Sequence, residues 1–254
     1  MLLHFLLFKL TVLYEMHIGI SIVSHAQSAL VKTLLASLDE HVYSREHKVS
    51  LIITENTLAR DEFNCKFPLL YKQNLHCKGF GANHNSAFEY LDPDIFLILN
   101  PDIEFIEDFD LDLLVNIINA SQVGVTSPII LDKNGVLEDY KRSDLTLKNL
   151  FKRKFLKYPD SKFDWYAGMF LIVTRPVFRS LGGFDPRFFM YVEDCDFCMR
   201  AAQNGYIVAD TTNISVKHDA RRNSQKLFSK HAYWHVQSLL KYWMKNIRGS
   251  QANN

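Results

Sequence analysis

The chain has 254 residues, of which 48% are hydrophobic, which is enough for one compact α/β domain with a substantial core. Its 29 lysines and arginines face 28 acidic residues, so no excess charge favours a nucleic acid or another polyanion as a partner. Four cysteines are too few for a disulfide framework in a chain of this length. We interpret them as free thiols in a reducing cytoplasm, and Cys195 and Cys198 as core residues of a helix rather than zinc ligands.

Residues 1–15 form an apolar segment interrupted by Lys9, and it is shorter than the roughly 20 residues that cross a bilayer. It could be an interfacial segment, an additional helix, or the product of an upstream start codon. We favour the last, with the domain beginning at Met16, because a strand pattern follows at once. The expected organisation is this extension, a domain at 16–225, and an amphipathic helix with a tail at 226–254.

From residue 17 onwards, strand-like and helix-like patterns alternate along the chain. This alternation predicts an α/β domain with a mostly parallel central sheet flanked by helices. Strands are expected within 17–26, 48–56, 94–102, 122–131, 165–174 and 207–219, and helices within 28–41, 74–91, 175–180, 192–206 and 226–247. The connection at 133–163 is polar and basic and carries few signals.

The stretch "DPDIFLILNPD" sets an apolar strand, Ile95 to Leu99, between two similar acidic motifs. In open parallel sheets, ligands bind beyond the carboxyl ends of the strands. Asp102 is therefore expected at the active edge as a metal ligand. Asp92 and Asp94 are expected at the opposite side of the domain, as turn and strand-entry residues.

Three stretches, "LILNPDIEF", "GGFDPRFFMYVEDCDFCMRAAQNGY" and "HDARRNSQ", occur in this order. Together they resemble the family 2 glycosyltransferases with the GT-A fold, and particularly their bacterial rhamnosyltransferase-like branch. The resemblance extends from about Ile18 to Ile247. It implies a Rossmann-like nucleotide-binding half, an acceptor-binding half, and transfer of a sugar from a nucleoside-diphosphate donor to an acceptor hydroxyl with inversion.

The resemblance also implies a metal site. Asp102 would help to hold Mg²⁺ or Mn²⁺, which neutralises a departing diphosphate, with Asn100 in place of the first acid of the family's DxD motif. An amide is a weaker ligand than a carboxylate, so strict metal dependence stays open. His218 matches the family's late histidine, a metal or diphosphate contact, and Arg221 and Arg222 would bind phosphate oxygens or form a solvated loop.

In the family's ED motif, here Glu193-Asp194, the aspartate usually acts as general base and removes the acceptor's proton. Asp194 is the expected base, and Glu193 would orient the site or the acceptor. The alternative is that both acids only favour the first turn of a helix, where negative charge interacts well with the macrodipole.

On the nucleotide side, Ser24 ends the first predicted strand, and Glu55 and Asn56 end the second, where the family usually has an aspartate that contacts the base. Residues of the stretch 74–85 resemble the family segment that lies against the nucleotide; those we assign to donor binding are Gly79, Phe80 and Asn85. The glycines do not follow the first strand, so they are no dinucleotide fingerprint.

Asp164, Trp165 and Gly168 resemble the family's "DW…G" motif, which precedes the acceptor-side strand. Asp164 would touch the donor sugar or the acceptor. Trp165 would stack on a sugar ring or belong to the core.

Between Lys217 and Arg248 there are eight basic residues and one acid, interleaved with aromatic residues. Such a helix could rest on an anionic membrane surface or pack on the domain. Membrane contact would suit an acceptor on a polyprenyl diphosphate at the inner leaflet, so we expect a cytoplasmic protein that is peripheral to the inner membrane.

The sequence thus predicts an inverting rhamnosyltransferase that uses dTDP-rhamnose in O-antigen or capsule synthesis, with a UDP-hexose donor as the alternative. A nucleotidyltransferase should have a Gly-rich basic loop after the first strand, and "SHAQSALVK" lacks one. A non-catalytic binding or scaffold subunit is the other rival. Asn100 favours it, whereas the intact Glu193-Asp194 pair favours an enzyme.

Overall fold

The computed structural model describes residues 15–151, 163–211, 213–219 and 230–252; the predicted N-terminal extension, except for Glu15, lies outside them. The strands within these ranges are β1 (His17–Ser24), β2 (Val42–Tyr43), β3 (Lys48–Glu55), β4 (Leu69–Gln73), β5 (Ile95–Leu99), β6 (Ile103–Phe105), β7 (Phe109–Asp110), β8 (Val123–Thr126), β9 (Ile129–Leu131), β10 (Lys141–Arg142), β11 (Trp165–Tyr166), β12 (Phe170–Thr174), β13 (Ile207–Val208) and β14 (Ser215–His218). The helices are α1 (Ser28–His41), α2 (Phe80–Leu91), α3 (Leu111–Ser121), α4 (Leu147–Phe151), α5 (Arg175–Ser180), α6 (Glu193–Gln203) and α7 (Lys230–Ala252).

A seven-stranded sheet in the order β13-β8-β12-β5-β1-β3-β4 forms the centre of the domain. All its neighbouring strands are parallel except β12, which runs antiparallel to β5 and β8. Every residue of β5 is buried, as expected for a central strand covered on both faces. The predicted mostly parallel sheet is confirmed.

The first βαβ unit follows directly from the hydrophobic pattern. The predicted helix at 28–41 is confirmed, and its buried face contains Leu34 and Leu38, one turn apart. β1 and β3 pair in parallel up to Ser24 and Glu55, so both strands end at the same edge. These two residues lie beside each other where ligands are expected to bind.

The antiparallel strand β12 changes what meets at that edge. Phe170, its first residue, pairs with Leu99, the last residue of β5. The segment that precedes β12 therefore lies next to the segment that follows β5. Residues 167–169 and 100–102 are brought together although about 67 positions separate them along the chain.

The opposite edge confirms the assignment of the other acidic motif. Asp94 Oδ2 accepts a hydrogen bond from the His17 backbone N–H at 2.8 Å. Arg175 lies 3.2 Å from a carboxylate oxygen of each of Asp92 and Asp94. Both acids therefore secure the entry to the central strands, as predicted.

Two predicted strands are each two shorter strands in the structure. The stretch 122–131 divides at Ser127-Pro128, because proline has no N–H to donate to a sheet, and its second part, β9, joins a separate sheet in the order β6-β14-β9. The stretch 207–219 also divides, into β13 of the central sheet and β14 of the three-stranded sheet. Edge strand β4 and helix α3 were not predicted, although Asp110 accepts hydrogen bonds from two N–H groups at the start of α3.

The C-terminal helix packs on the domain. Tyr242 is buried and its hydroxyl donates to Asp144 at 2.7 Å, while the Trp243 indole N–H donates to the Leu145 carbonyl at 2.8 Å. Within the described ranges, no helix is long and apolar enough to cross a membrane. Cys195 and Cys198 are buried as predicted, but of the other two thiols one is half-buried and one is exposed.

Two adjacent glycines provide a test of the turn that follows helix α5. Gly182 and Gly183 both have positive φ, of 66° and 73°, but only a Cβ on Gly183 would collide with another side chain, that of Asn85. We expect Gly182→Ala to lower the free energy of unfolding by about 1 kcal/mol, the cost of a left-handed L-residue. Gly183→Ala should cost at least about 2 kcal/mol, because Asn85 must also move. Urea denaturation measures both, and equal costs would contradict the packing described here.

Candidate active site

The segment before β12 connects two of the predicted site elements through its backbone. The Gly168 N–H donates to Asp194 Oδ2 at 2.8 Å, and the next residue, Met169, accepts from the Asn100 N–H at 2.9 Å. A Cβ on Gly168 would lie 3.4 Å from Asp194 Cβ and 3.5 Å from the Phe80 ring. Gly168, which was predicted to face sugar or acceptor, therefore holds the expected base next to the loop of the expected metal ligand.

Glu193 and Asp194 open helix α6, as the sequence predicts. Asp194 Oδ1 accepts from the Cys195 N–H at 2.8 Å, so each oxygen of this carboxylate has one backbone donor. The two preceding residues, Tyr191 and Val192, have φ values of 68° and 73°. That conformation is unfavourable for a β-branched valine, and such strain is concentrated at functional sites.

Burial sets the charge of this pair. The pKa of Glu193 is raised well above its ordinary value, first because the side chain is buried and then because Asp194 lies beside it. Glu193 Oε2 also has no hydrogen-bond partner. Burial raises the pKa of Asp194 too, but the Gly168 and Cys195 amides and the charge of Arg142 oppose that effect. Of the two carboxyl groups, Asp194 is therefore the one that ionises more readily, and Glu193 the one that keeps its proton.

The predicted metal residues Asp102 and His218 also meet. β14 is antiparallel to β6, and the Asp219 N–H donates to the Asp102 carbonyl at 3.0 Å. His218 Nε2 lies 3.3 Å from Asp102 Oδ1. Glu138, which was not predicted, has Oε1 4.0 Å from His218 Nδ1. Both ring nitrogens of His218 are buried and make no hydrogen bond, which is unusual for polar atoms.

These residues fit a divalent cation. A carboxylate oxygen and an imidazole nitrogen that lacks a partner are suitable donors for Mn²⁺, and carboxylate and amide oxygens suit Mg²⁺. In the part of the chain that the structure describes, no three His, Cys, Asp or Glu side chains could enclose an ion by themselves. The ligand set would therefore need oxygens from a bound diphosphate. Arg221 and Arg222 lie outside the described residues.

Ser24 and Glu55, predicted for the nucleotide, bond to each other and to the backbone. Glu55 accepts from the Ser24 hydroxyl at 2.6 Å, from the Ala26 N–H at 3.0 Å, and from the Thr57 N–H and hydroxyl at 2.9 and 2.5 Å. Burial acts to raise the pKa of Glu55, but these four bonds outweigh it and the pKa is lowered. The Glu55 carboxylate thereby connects the loop after β1 to the loop after β3 and places a negative charge between them.

Asn56 holds the loop before α2 through two hydrogen bonds of its side chain. Its side chain donates to the Lys78 carbonyl at 2.8 Å and accepts from the Lys78 N–H at 2.8 Å. Gly79 follows, and a Cβ there would lie 2.6 Å from the Phe189 carbonyl oxygen. The Phe80 N–H donates to that same oxygen at 2.8 Å. The predicted donor segment is thus joined to the loop that leads to Glu193.

Asn85, on α2, bonds to the segment that follows α5. Its amide donates to the Phe184 carbonyl and accepts from the Phe184 N–H, both at 2.8 Å. Both of its polar atoms are therefore occupied by the backbone, and the structure gives it a structural role. His84, not singled out from the sequence, is fully buried, bonds to Ser21 at 2.8 Å, and has its pKa lowered by burial to about 3.

The remaining predicted residues face Asp144 and its neighbours. Asp164 Oδ2 accepts from the Asp144 N–H at 3.0 Å. Trp165 is 3% exposed, and its indole N–H donates to the Ser143 carbonyl at 2.8 Å. Trp165 is therefore the core residue that was the alternative expectation, and stacking on a sugar ring is wrong for this conformation.

A cleft of about 460 Å³ lies beside β4, the edge strand of the central sheet. Gln73, at the end of β4, lines it and donates to the Ala59 carbonyl at 2.8 Å. The other lining residues are Arg60, Asp61, Glu62 and Tyr71. None of these residues was predicted, because β4 has no clear strand pattern.

Comparison with curated proteins gives the family. The chain is 30% identical to rhamnosyltransferase WbbL of Escherichia coli K12, over 88% of this chain and 91% of that protein. The chain is a rhamnosyltransferase-like family 2 glycosyltransferase. It is also 23% identical to the N-acetylglucosaminyl-diphospho-decaprenol L-rhamnosyltransferase of Mycobacterium tuberculosis, but spans only 53% of that longer relative. No family profile matches the chain.

Solved structures give this glycosyltransferase its fold. The mannosyltransferase PcManGT of Pyrobaculum calidifontis, solved with GDP-Man and Mn²⁺, matches 92% of this chain with a TM-score of 0.61 at 16% identity. GalNAc-T7, solved with UDP, GalNAc and Mn²⁺, matches 89% with a TM-score of 0.63 at 16% identity. This chain spans 65% and 48% of those proteins. The predicted GT-A fold is confirmed.

Stability as a function of pH tests the buried carboxyl of this glycosyltransferase. Because the pKa of Glu193 is higher in the folded than in the unfolded chain, the free energy of unfolding should fall as the pH rises above its ordinary value of 4.5. Glu193→Gln removes this titration, so we expect the variant to gain stability relative to the wild type as the pH rises above about 5, by up to about 1.4 kcal/mol per pH unit. Chemical denaturation at several pH values measures the difference. A pH-independent difference would mean that Glu193 is ionised in the folded protein.

Proposed function

We propose that this glycosyltransferase moves L-rhamnose from dTDP-rhamnose to a glycan acceptor with inversion at the anomeric carbon. One observation carries the reaction type: the adjacent residues Gly168 and Met169 hold Asp194 and the Asn100 loop through direct backbone hydrogen bonds. A carboxylate able to accept a proton is thereby fixed beside the residues suited to a diphosphate and its cation. Two relatives named as rhamnosyltransferases support the choice of sugar.

In the proposed reaction, the acceptor hydroxyl gives its proton to Asp194 while its oxygen forms the bond to the anomeric carbon. The bond between that carbon and the diphosphate oxygen breaks from the opposite face, and the nucleoside diphosphate leaves. The raised pKa of Asp194 suits a general base, since it makes the carboxylate more basic. Protonated Glu193 can donate a hydrogen bond without placing a second negative charge beside it.

The diphosphate end of the site would be held by Asp102, His218 and Asn100. A divalent cation there supplies positive charge that stabilises the leaving diphosphate. Two structural neighbours, PcManGT and GalNAc-T7, were solved with Mn²⁺, which supports this part of the proposal. The cleft beyond β4 offers the aromatic ring of Tyr71 and the amide of Gln73 to a nucleoside.

The acceptor is proposed to be a saccharide carried on a polyprenyl diphosphate, in the synthesis of O-antigen or capsule at the cytoplasmic face of the inner membrane. The mycobacterial relative, named for such a lipid-linked substrate, supports this class of acceptor. A UDP-hexose is the alternative donor, which the neighbours solved with UDP and UDP-GlcNAc support.

The base is tested by Asp194→Asn. We expect turnover of dTDP-rhamnose to fall by about 10² or more, because an amide cannot accept the acceptor's proton. Binding of dTDP should change little, since the substitution leaves Asp102 and His218 intact. The control is Asp108→Asn, a change of the same kind at an exposed position. Turnover within a few-fold of the wild type would remove Asp194 from the mechanism.

The metal residues are tested by thermal stability, since a ligand that binds only the folded chain raises the melting temperature. We expect dTDP with Mn²⁺ to stabilise the wild type more than either alone, and Asp102→Asn and His218→Gln to lose most of that gain. UDP and GDP serve as competing diphosphates. Stabilisation by UDP instead would move the proposal to a UDP-hexose donor. An equal response of both variants and the wild type would exclude this metal site.

A further inference from the structure

The outward side of helix α7 carries an unusual row of large apolar side chains. Each is between 51% and 65% exposed, and they recur at intervals of three and four residues, which places them on one face of a helix. We name this row the α7 stripe; its members are Tyr233, Val236, Leu240, Met244 and Ile247. Single exposed apolar residues are ordinary, but a continuous row of five marks an interaction surface.

The opposite side of α7 is already occupied by the domain. Ser238 donates to the Met190 carbonyl at 2.9 Å, and His231 Nδ1 lies 3.0 Å from the Tyr191 hydroxyl. Lys245 lies 3.0 Å from Asp185 and 2.5 Å from Asp196. The helix is therefore fixed to the loop that leads into Glu193, while the side chains of the α7 stripe stay exposed among the described residues.

The charge of the helix indicates what that surface is. α7 contains Lys230, Lys241, Lys245 and Arg248 and no aspartate or glutamate. A second copy of this chain would bring together two helices that contain basic but no acidic residues, which is unfavourable even though Lys245 is paired with Asp185 and Asp196. A nucleic acid would match the charge but not the apolar row. An apolar row beside basic residues is the pattern of a helix that lies in an anionic lipid interface.

We propose that the α7 stripe is the surface on which this protein lies on an anionic lipid bilayer, with its five side chains among the acyl chains. Of the aromatic residues that the sequence places on this helix, Tyr233 belongs to the stripe, whereas Tyr242 and Trp243 face the domain. The inference adds a defined surface to the location in the proposed function. It does not depend on which sugar is transferred.

The test is flotation of the purified full chain with vesicles. One set is phosphatidylcholine alone, and the other contains about one third phosphatidylglycerol, whose negative charge should attract the helix. We expect binding to the anionic vesicles, weak binding to the neutral ones, and weaker binding as salt is added. The double variant Leu240→Ser/Met244→Ser should lower the bound fraction at least about tenfold, because it removes apolar area from the contact.

The matched control is Leu113→Ser on α3, where the leucine is 52% exposed, against 51% for Leu240. Its vesicle binding should equal that of the wild type. Light scattering on the lipid-free proteins reads the alternative: a wild-type dimer that the double serine variant converts to monomers would assign the stripe to a second copy and overturn the proposal. Equal vesicle binding by the double variant and the wild type would overturn it as well. Donor-dependent melting shifts should stay unchanged in the double variant. A failure of the membrane proposal can therefore be told apart from a failure of the proposed reaction.

Discussion

The candidate site depends on the antiparallel placement of β12 in an otherwise parallel sheet. Parallel strands alone would bring together only segments that follow strands. With β12 reversed, the segment that precedes it meets the end of β5, and two consecutive backbone groups, the Gly168 N–H and the Met169 carbonyl, fasten Asp194 and the Asn100 loop. The backbone of this short segment therefore joins the expected base to the loop of the expected metal ligand.

Unfavourable free energy is concentrated next to this junction. Glu193 is buried with an oxygen that has no partner, a second carboxyl lies beside it, and Tyr191 and Val192 precede it in left-handed conformations. By contrast, the buried carboxylate of Glu55 accepts four hydrogen bonds. Such a contrast is expected where a fold holds groups ready for chemistry. Helix α7 helps to maintain it by binding the loop before Glu193.

Local patterns were enough to predict β1, α1, β3 and β5, and the edge at which Asp102 lies, because hydrophobic periodicity and strand direction decide these features. The ion pair of Asp196 and Arg200, 2.7 Å apart, also follows from local spacing, because the two residues are one helical turn apart. The direction in which Trp165 points, the occupation of Asn85 by backbone groups and the contact of Glu138 with His218 were not predictable. Each depends on which distant segment lies opposite. The outward face of α7 is a similar case, since both of its sides are rich in apolar residues.

The three residues between β11 and β12 limit how such an enzyme can diverge. Gly168 and Met169 lie in a turn that the hydrogen bond from the Met169 N–H to the Ala167 carbonyl closes at 2.8 Å, so inserting or deleting one residue there would displace the Gly168 N–H from Asp194. The spacing from Trp165 to Phe170 is therefore constrained in any descendant that keeps the same base.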